Sequence, residues 1–280
     1  MPMKKKHKWS TFILLAVFFV GLSVMLYPAI SNYWNSRTQS EAIVDYQKML
    51  DSIPLEDYTK LFAEVDEYNR KLASLDFPFL DYEKAEGYFD ILDISGTGMI
   101  GYISIDVIGL ELPVYHGTAE SVLSAAVGHL QGSSLPVGGE GTHAVVSAHR
   151  GLPTATLFTN LDHLEIGDTF KFTILDRTVT YMVDEIKTVE PTDTSDLLIR
   201  AGADRCTLLT CTPYGINTHR LLVQGRRIES VEQKNIYITA DAHRIDTLIV
   251  TPVVALPILL TLMIVVLLKP VKKDDLGDDL

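Results

Sequence analysis

The stretch 207–222, TLLTCTPYGINTHRLL, predicts two extended segments joined by a turn. Thr207–Cys211 and Arg220–Gln224 carry the apolar and β-branched residues that favour strands, and turn-forming residues lie between them: Pro213, Tyr214, Gly215 and Asn217. If the two segments pair as antiparallel neighbours, Cys211 and Arg220 meet at the same open end of a sheet. Functional side chains concentrate at such strand ends, so Cys211 and Arg220 are candidate active-site residues.

The same period-two pattern extends back from this hairpin to Met99. It is seen in IGYISIDVI at 100–108, TFKFTIL at 169–175 and TVTYMVDEI at 178–186, with Gly, Pro, Asn and Asp between the runs. Alternation of this kind over many short segments is typical of antiparallel β proteins. The sequence therefore predicts a mainly β domain, a sandwich or barrel, over residues 99–230.

The region before the β domain has helical rather than strand periodicity. Apolar residues recur at helical spacing through 39–75, and Pro54 breaks the run into two amphipathic pieces. We expect a helical stem over 31–75, followed by a lid and linker at 76–98.

Two apolar stretches, 11–30 and 247–268, are each about 20 residues long, which is the length that spans a bilayer. Lysines flank their outer ends: Lys4, Lys5, Lys6 and Lys8 before the first, and Lys269, Lys272 and Lys273 after the second. By the positive-inside rule, we expect cytoplasmic termini at 1–10 and 269–280. A cleaved signal peptide is the alternative for the first stretch. Under both interpretations residues 31–246, including a short stalk at 231–246, lie outside the cytoplasm.

Charge and cysteine content narrow the function. The formal net charge of −12 argues against nucleic-acid binding, which requires a basic surface. Two cysteines do not make a disulfide framework, and five residues of strand separate Cys206 from Cys211 by about 16 Å, far more than a disulfide allows. Their odd spacing also places them on opposite faces of the strand. We expect Cys206 in the core and Cys211 as a free thiol.

A thiol needs a nearby base or cation to act as a nucleophile, because the unperturbed group is mostly protonated at neutral pH. His149 ends another strongly β-like run, HAVVSAHRGLP at 143–153, and is the favoured base. The pattern leaves five other histidines open: His116, His129, His143, His163 and His219. Arg220 could support an oxyanion or could be a solvated surface charge.

A zinc site built from Cys206, Cys211 and two histidines is a further chemical possibility. It is disfavoured because the sequence lacks CxxC or HxxxH spacing around these residues. We therefore expect no metal.

Several ordered motifs together resemble one family. They are TLLTCTPYGINTHRLLVQGRR (207–227), SAHRGLP (147–153), YHGT (115–118), GHLQGSSLPVGG (128–139) and LFTNLDHLEIGD (157–168). Over residues 81–228 the chain is similar to the class C, pilus-assembling sortases of Gram-positive bacteria. The helical stem and second apolar span also resemble this class.

The resemblance implies an eight-stranded sortase β-barrel with Cys211 as nucleophile, His149 as general acid and base, and Arg220 as the residue that positions substrate. Such enzymes cleave an LPXTG-like sorting signal between Thr and Gly, and pass the thioacyl intermediate to a lysine of the next pilin, without a cofactor. The partners expected are therefore pilin subunits and the membrane. Three alternatives remain: a housekeeping sortase that uses a cell-wall amine, a peptidase that uses water, and a non-enzymatic membrane-tethered binding domain.

Class C sortases usually carry a lid with an Asp-Pro-aromatic motif, whose Asp contacts the catalytic Arg and whose ring covers the Cys. This chain departs from that motif at LDFPFLDYE, residues 75–83, because Pro78 follows Phe77 rather than Asp76. We expect a rebuilt lid in which Asp76 pairs with Arg220 while Phe77 or Phe79 shields Cys211. The alternative is a linker that packs its phenylalanines on the barrel.

Overall fold

The structure is a computed structural model that describes residues 5–229 and, further on, residues 255, 257–261 and 264. Apart from those few helical positions, the predicted stalk at 231–246, second span at 247–268 and tail at 269–280 lie outside the described residues. Residues 32–229 belong to one compact unit that holds all eight strands.

Two long helices precede the strands, and they are separated at Pro54 as the sequence predicts. Helix α1 spans Lys5–Leu50 and α2 spans Leu55–Ala73. Pro54 adopts an extended conformation with φ −60° and ψ 140° directly before α2. Proline fixes φ and lacks an N–H group, so it suits the start of α2 but not the interior of a continuous helix. Two short helices follow, α3 at Pro78–Asp81 and α4 at Glu120–Leu123.

Helix α1 contains an apolar part that could cross a membrane. Among the described residues, one helix is long and apolar enough to do so by length and composition: Phe12–Leu50, with a hydropathy of 2.4 in its most apolar window and none of that window buried.

The stem helices pack on the barrel. One face of α2 is buried through residues at helical spacing, which join the main core: Phe62, Val65, Tyr68 and Leu72. The last turns of α1 add Tyr46, whose hydroxyl donates to Ile100 O (3.2 Å) and accepts from Leu175 N (2.9 Å). Since Tyr46 is only 1% exposed, these bonds satisfy a buried polar group.

The eight strands form a closed barrel, which confirms the barrel expected from the resemblance. Its strands are β1 Met99–Ile105, β2 Leu110–His116, β3 Val127–His129, β4 Thr142–Ser147, β5 Thr169–Ile174, β6 Arg177–Val189, β7 Asp204–Thr212 and β8 His219–Ile228. They are arranged around the barrel in the order β1-β2-β3-β4-β7-β8-β6-β5. Neighbours are antiparallel except for β2 with β3 and β4 with β7. Closure leaves no exposed sheet edge.

The β7–β8 hairpin has the predicted register, in which Cys211 lies opposite Arg220. Cys206 is fully buried within the main core, whereas Cys211 is partly exposed, and both thiols are free. The prediction that the two cysteines face opposite sides of one strand is therefore confirmed. On the outer face, Leu209 packs against a small cluster formed by Val145, Leu197 and Leu222.

Two histidines that the sequence left open as bases are structural. The ring of His129 is bonded on one side to Ser134 O (2.8 Å) and on the other to Tyr88 Oη (2.9 Å). His143 likewise bonds Leu198 O (3.1 Å) and Thr207 Oγ1 (2.7 Å). Burial lowers the pKa of both imidazoles to about 4.

These lowered pKa values predict acid sensitivity. An unfolded histidine binds a proton below about pH 6.5, whereas the buried rings stay neutral until about pH 4. The contribution of each ring to the free energy of unfolding is therefore complete above pH 6.5 and is lost as the pH falls to 4. Each ring accounts for on the order of 3 kcal/mol over this window. Urea unfolding at several pH values would measure it.

Histidine-to-glutamine variants provide the control, because carboxylates also titrate at the acidic end of this range. His129→Gln and His143→Gln should each be less stable at neutral pH, and their stability should fall less steeply than that of the wild type between pH 6.5 and 4. A wild-type slope in both variants would contradict the assignment.

Candidate active site

Cys211 lies at the open end of β7, where the strand gives way to the turn that leads to β8. Its side chain is partly exposed, unlike the buried Cys206. Burial raises the pKa of the Cys206 thiol well above its ordinary value, so Cys206 is unsuited to nucleophilic chemistry. Of the two thiols, Cys211 is therefore the candidate nucleophile.

The parallel pairing of β4 with β7 brings His149 to the same end of the barrel. In this pairing Ser147 lies beside Leu209. The contact continues past the end of β4, because Ala148 N donates to Leu209 O (3.3 Å) and Thr210 Oγ1 donates to Ala148 O (2.8 Å). Continued two residues beyond Ser147, this register would set His149 level with Cys211. Cys211 and Arg220 thus lie opposite each other on β7 and β8, and the chain that carries His149 leaves β4 on the other side of β7.

The imidazole of His149 contacts a carboxylate that the sequence analysis missed. Its Nε2 lies 3.2 and 3.1 Å from the two carboxylate oxygens of Glu120, in the first turn of α4. Within residues 5–229, Nδ1 of His149 has no hydrogen-bond partner, and no hydrogen bond joins the ring to Cys211. Glu120 is 29 residues away in sequence, so no local spacing pattern could have revealed it.

Arg220 is held by its own turn. Its Nη1 donates to Asn217 O (3.4 Å) and to His219 O (3.2 Å). In the part of the chain that the structure describes, no carboxylate forms an ion pair with this guanidinium. Most of its donors are therefore available to a substrate oxygen.

A second arginine joins the two segments that carry His149 and Cys211. The guanidinium of Arg150 pairs with Asp162 and lies 5.9 Å from the ring centroid of Tyr214. Tyr214 also covers Gly151, where a Cβ atom would come within 2.9 Å of the ring and where φ is +76°, so glycine is required. Cation–π attraction in this arrangement ties the β7–β8 turn to the residues after His149. The sequence analysis did not identify this group.

The remaining histidines are less suited to act on the thiol. His116 is buried and its Nδ1 contacts Gly98 O (3.2 Å), whereas His163 is exposed in a 3-10 turn. His219 lies opposite Thr212 and contacts Glu190 (3.2 Å). The zinc site that used both thiols is wrong, because Cys206 and Cys211 face opposite sides of β7.

The predicted pairing of Asp76 with Arg220 is wrong for this structure. Asp76 is exposed and makes neither a hydrogen bond nor an ion pair within residues 5–229. The physical reason is the late proline, which is the first residue of α3 and leaves Asp76 outside that turn. Arg220 is instead bonded to carbonyl oxygens of its own turn.

The two phenylalanines of the predicted lid differ from each other. Phe77 is 65% exposed. Phe79 is half-buried against the outer cluster that includes Leu209, two residues before Cys211 on the same face. The backbone there packs closely on Gly132, whose added Cβ would lie 2.8 Å from Phe79 Cα. The segment therefore resembles the packed linker, and covering of the thiol by Phe79 stays a prediction.

Comparison with known proteins supplies the family. The Sortase domain matches residues 103–228. Sortase C1 of Streptococcus agalactiae is 47% identical in sequence, with a TM-score of 0.62 over 68% of this chain and 98% of that one. The chain belongs to the sortase family. Its similarity to sortase C structures supports class C, as the motifs had indicated.

Two further sortases extend this comparison. Clostridium perfringens sortase C, whose structure includes the C-terminal cell wall sorting motif, is 39% identical, with a TM-score of 0.59 over 68% of this chain and 99% of that one. Sortase D of Bacillus subtilis (strain 168) is 30% identical over 46% of this chain, and the match spans 63% of that relative.

The exposure of the two thiols predicts selective labelling. A water-soluble methanethiosulfonate reagent should add one label to the folded chain, at Cys211, and two labels in denaturant. Cys206→Ala should still take one label when folded, and Cys211→Ala should take none. Intact-mass spectrometry counts the labels, and rapid labelling of folded Cys211→Ala would contradict the assignment of Cys206 to the core.

Labelling rates also test the segment before the barrel. Phe79→Ala should speed labelling of Cys211, because it removes a ring packed against the same outer cluster as Leu209, which shares a strand face with Cys211. Asp76→Ala and Phe77→Ala should label at the wild-type rate, because neither side chain holds a cover over the thiol in the structure. Faster labelling of Asp76→Ala would restore the lid that the sequence predicted.

Proposed function

We propose that this chain is a membrane-anchored cysteine transpeptidase that cleaves an LPXTG-like sorting signal between Thr and Gly and joins it to a pilin lysine. The observation that supports the proposal is the pairing of β7 with β8 and β4, which sets Cys211 opposite Arg220 and carries the chain before His149 alongside Leu209. Such a set supplies a base, a nucleophile and an oxyanion donor within one site.

In the first half of the reaction, Cys211 Sγ attacks the Thr carbonyl carbon. The thiol proton goes to His149, and the guanidinium of Arg220 donates to the oxygen that becomes negatively charged. The Thr–Gly C–N bond then breaks, and His149 returns the proton to the departing Gly amine. A thioester on Cys211 and a free Gly-terminated fragment result.

In the second half, a lysine amine attacks the thioester carbonyl. His149 takes the proton from that amine, a new amide bond forms, and the C–S bond breaks to release Cys211, which regains a proton. All steps use side chains alone, so the scheme requires neither a cofactor nor a metal.

The contacts of His149 suggest which ring atom transfers these protons. Nε2 faces the carboxylate of Glu120, whereas Nδ1 is without a hydrogen-bond partner among the described residues. We assign proton transfer to Nδ1 and orientation of the ring to Glu120, by the logic of other carboxylate–histidine pairs. The carboxylate is 78% exposed, so it guides the ring without holding it rigidly.

Membrane attachment completes the proposal. Segments 11–30 and 247–268 would anchor both ends, with termini 1–10 and 269–280 in the cytoplasm and a stalk at 231–246. The stem at 31–75, linker at 76–98 and catalytic barrel at 99–230 would then lie on the extracellular face. Pilin subunits with LPXTG-like signals and an acceptor lysine are the proposed partners. The Clostridium perfringens sortase C structure with its sorting motif supports this substrate class.

The test is incubation of the full chain, in detergent micelles, with an LPXTG peptide and a lysine-bearing pilin. We expect covalent pilin ladders on denaturing gels.

Cys211→Ala and His149→Ala should abolish cleavage and transfer. Arg220→Lys should lower the rate on the order of 100-fold, because a point charge cannot replace the planar guanidinium fork of arginine. Cys206→Ala is the matched control and should remain active.

Other outcomes distinguish the alternatives. Cleavage without ladders would favour a peptidase, and transfer only to a cell-wall amine would favour a housekeeping sortase. Full activity of folded Cys211→Ala would overturn the proposal.

A further inference from the structure

Helix α1 presents a polar stripe where it joins the compact unit. Asn32, Asn35 and Gln39 lie at spacings of three and four residues, which places them on one face of the helix. All three are half-buried, whereas Tyr33 and Trp34 between them are 65% and 69% exposed. The amide face of α1, rather than an aromatic face, is therefore the one that contacts the barrel unit.

Asn32 and Asn35 hold the segment that follows His149. Oδ1 of Asn32 accepts from Thr156 N (2.9 Å) and from Thr156 Oγ1 (3.0 Å). Nδ2 of Asn35 donates to Thr154 O (2.8 Å). These partners fix which amide atom is oxygen and which is nitrogen, because a backbone N–H can only donate and a carbonyl can only accept.

Gln39 holds the segment that carries the partner of His149. Its Nε2 donates to Ala125 O (2.7 Å), two residues beyond the end of α4. Helix α4 begins at Glu120, which contacts His149 Nε2. One face of α1 thus contacts two segments next to the candidate base: the chain that follows His149, and the chain that follows Glu120.

Both segments lie outside the strands of the barrel, so their positions depend on a few specific contacts. On one side, Phe158 N donates to His149 O (3.1 Å), which links the end of the 152–158 segment directly to the histidine backbone. On the other, α4 is a single turn of four residues. Such segments open more easily than strands. Hydrogen bonds from the long helix α1 should therefore restrict the motion of both segments, and with it the motion of the His149 ring.

We propose that Asn32, Asn35 and Gln39 are positioning residues, through which α1 sets His149 against Cys211. The barrel itself does not need them, because its strands and core are complete without this stripe. The catalytic part of this inference rests on the proposed transpeptidase function, whereas the ordering of the two segments does not.

An asparagine-to-aspartate substitution at two positions of the stripe tests whether these hydrogen bonds position His149. Asn32→Asp keeps the oxygen that accepts from Thr156, so it should retain near-wild-type order and turnover. Asn35→Asp replaces the donor to Thr154 O with a carboxylate, which the carbonyl repels. The two variants change the same residue type and charge on neighbouring turns of α1, so effects on the helix or on detergent binding are matched.

We expect Asn35→Asp, combined with Gln39→Glu, to lower kcat for cleavage of an LPXTG peptide by the full chain about tenfold or more, with KM changed less than about twofold. Hydrogen exchange should quicken in residues 119–126 and 152–158 but not in β7. Asn32→Asp should leave kcat and exchange within about twofold of the wild type.

Three outcomes would overturn the inference. They are wild-type exchange in the combined variant, faster exchange with unchanged kcat, and a loss of kcat in Asn32→Asp equal to that in the combined variant. If the wild-type chain cleaves no sorting peptide, the proposed function fails, and hydrogen exchange at 152–158 alone decides whether the stripe orders this segment.

Discussion

The rest of the structure depends on the pairing of β7 with two different neighbours. Its parallel register with β4 brings the chain after Ser147 alongside Leu209, and its antiparallel register with β8 sets Cys211 against Arg220. Because strands in a sheet lie about 4.8 Å apart, one strand end collects side chains from three separate parts of the sequence. A shift of one residue in either pairing would turn the site residue toward the core. The closed barrel fixes both pairings.

Local patterns predicted a mainly β domain and the β7–β8 half of the site, whereas the eight-stranded barrel was expected only from the family resemblance. Cys211 and Arg220 belong to one hairpin, so turn residues and alternation sufficed to place them together. The pattern could not single out His149, since its position beside Cys211 comes from a parallel pairing across about 60 residues. His129 and His143 differ from His149 because their rings are buried and hydrogen-bonded on both nitrogens. Sequence periodicity does not indicate either property.

Contacts between distant segments account for what the sequence analysis missed. Glu120, the Arg150–Tyr214 contact and the α1 stripe each join elements far apart in sequence. The contact expected between Asp76 and Arg220 is absent from the described residues for a local reason instead. The family motif places its proline after Asp, whereas here Pro78 begins α3 and Asp76 remains in the preceding bend. A one-residue change in order thus separated the carboxylate from the arginine.

The central claim is that Cys211 attacks the sorting signal and holds its acyl part as a thioester. Rapid acid quench of the full chain mixed with an LPXTG peptide, followed by intact-mass and peptide mass spectrometry, tests this directly. The account predicts an adduct with the mass of the LPXT acyl fragment on Cys211, lost upon addition of hydroxylamine. An adduct on any other residue, or cleavage of the peptide with no adduct on Cys211 at any quench time, would contradict it.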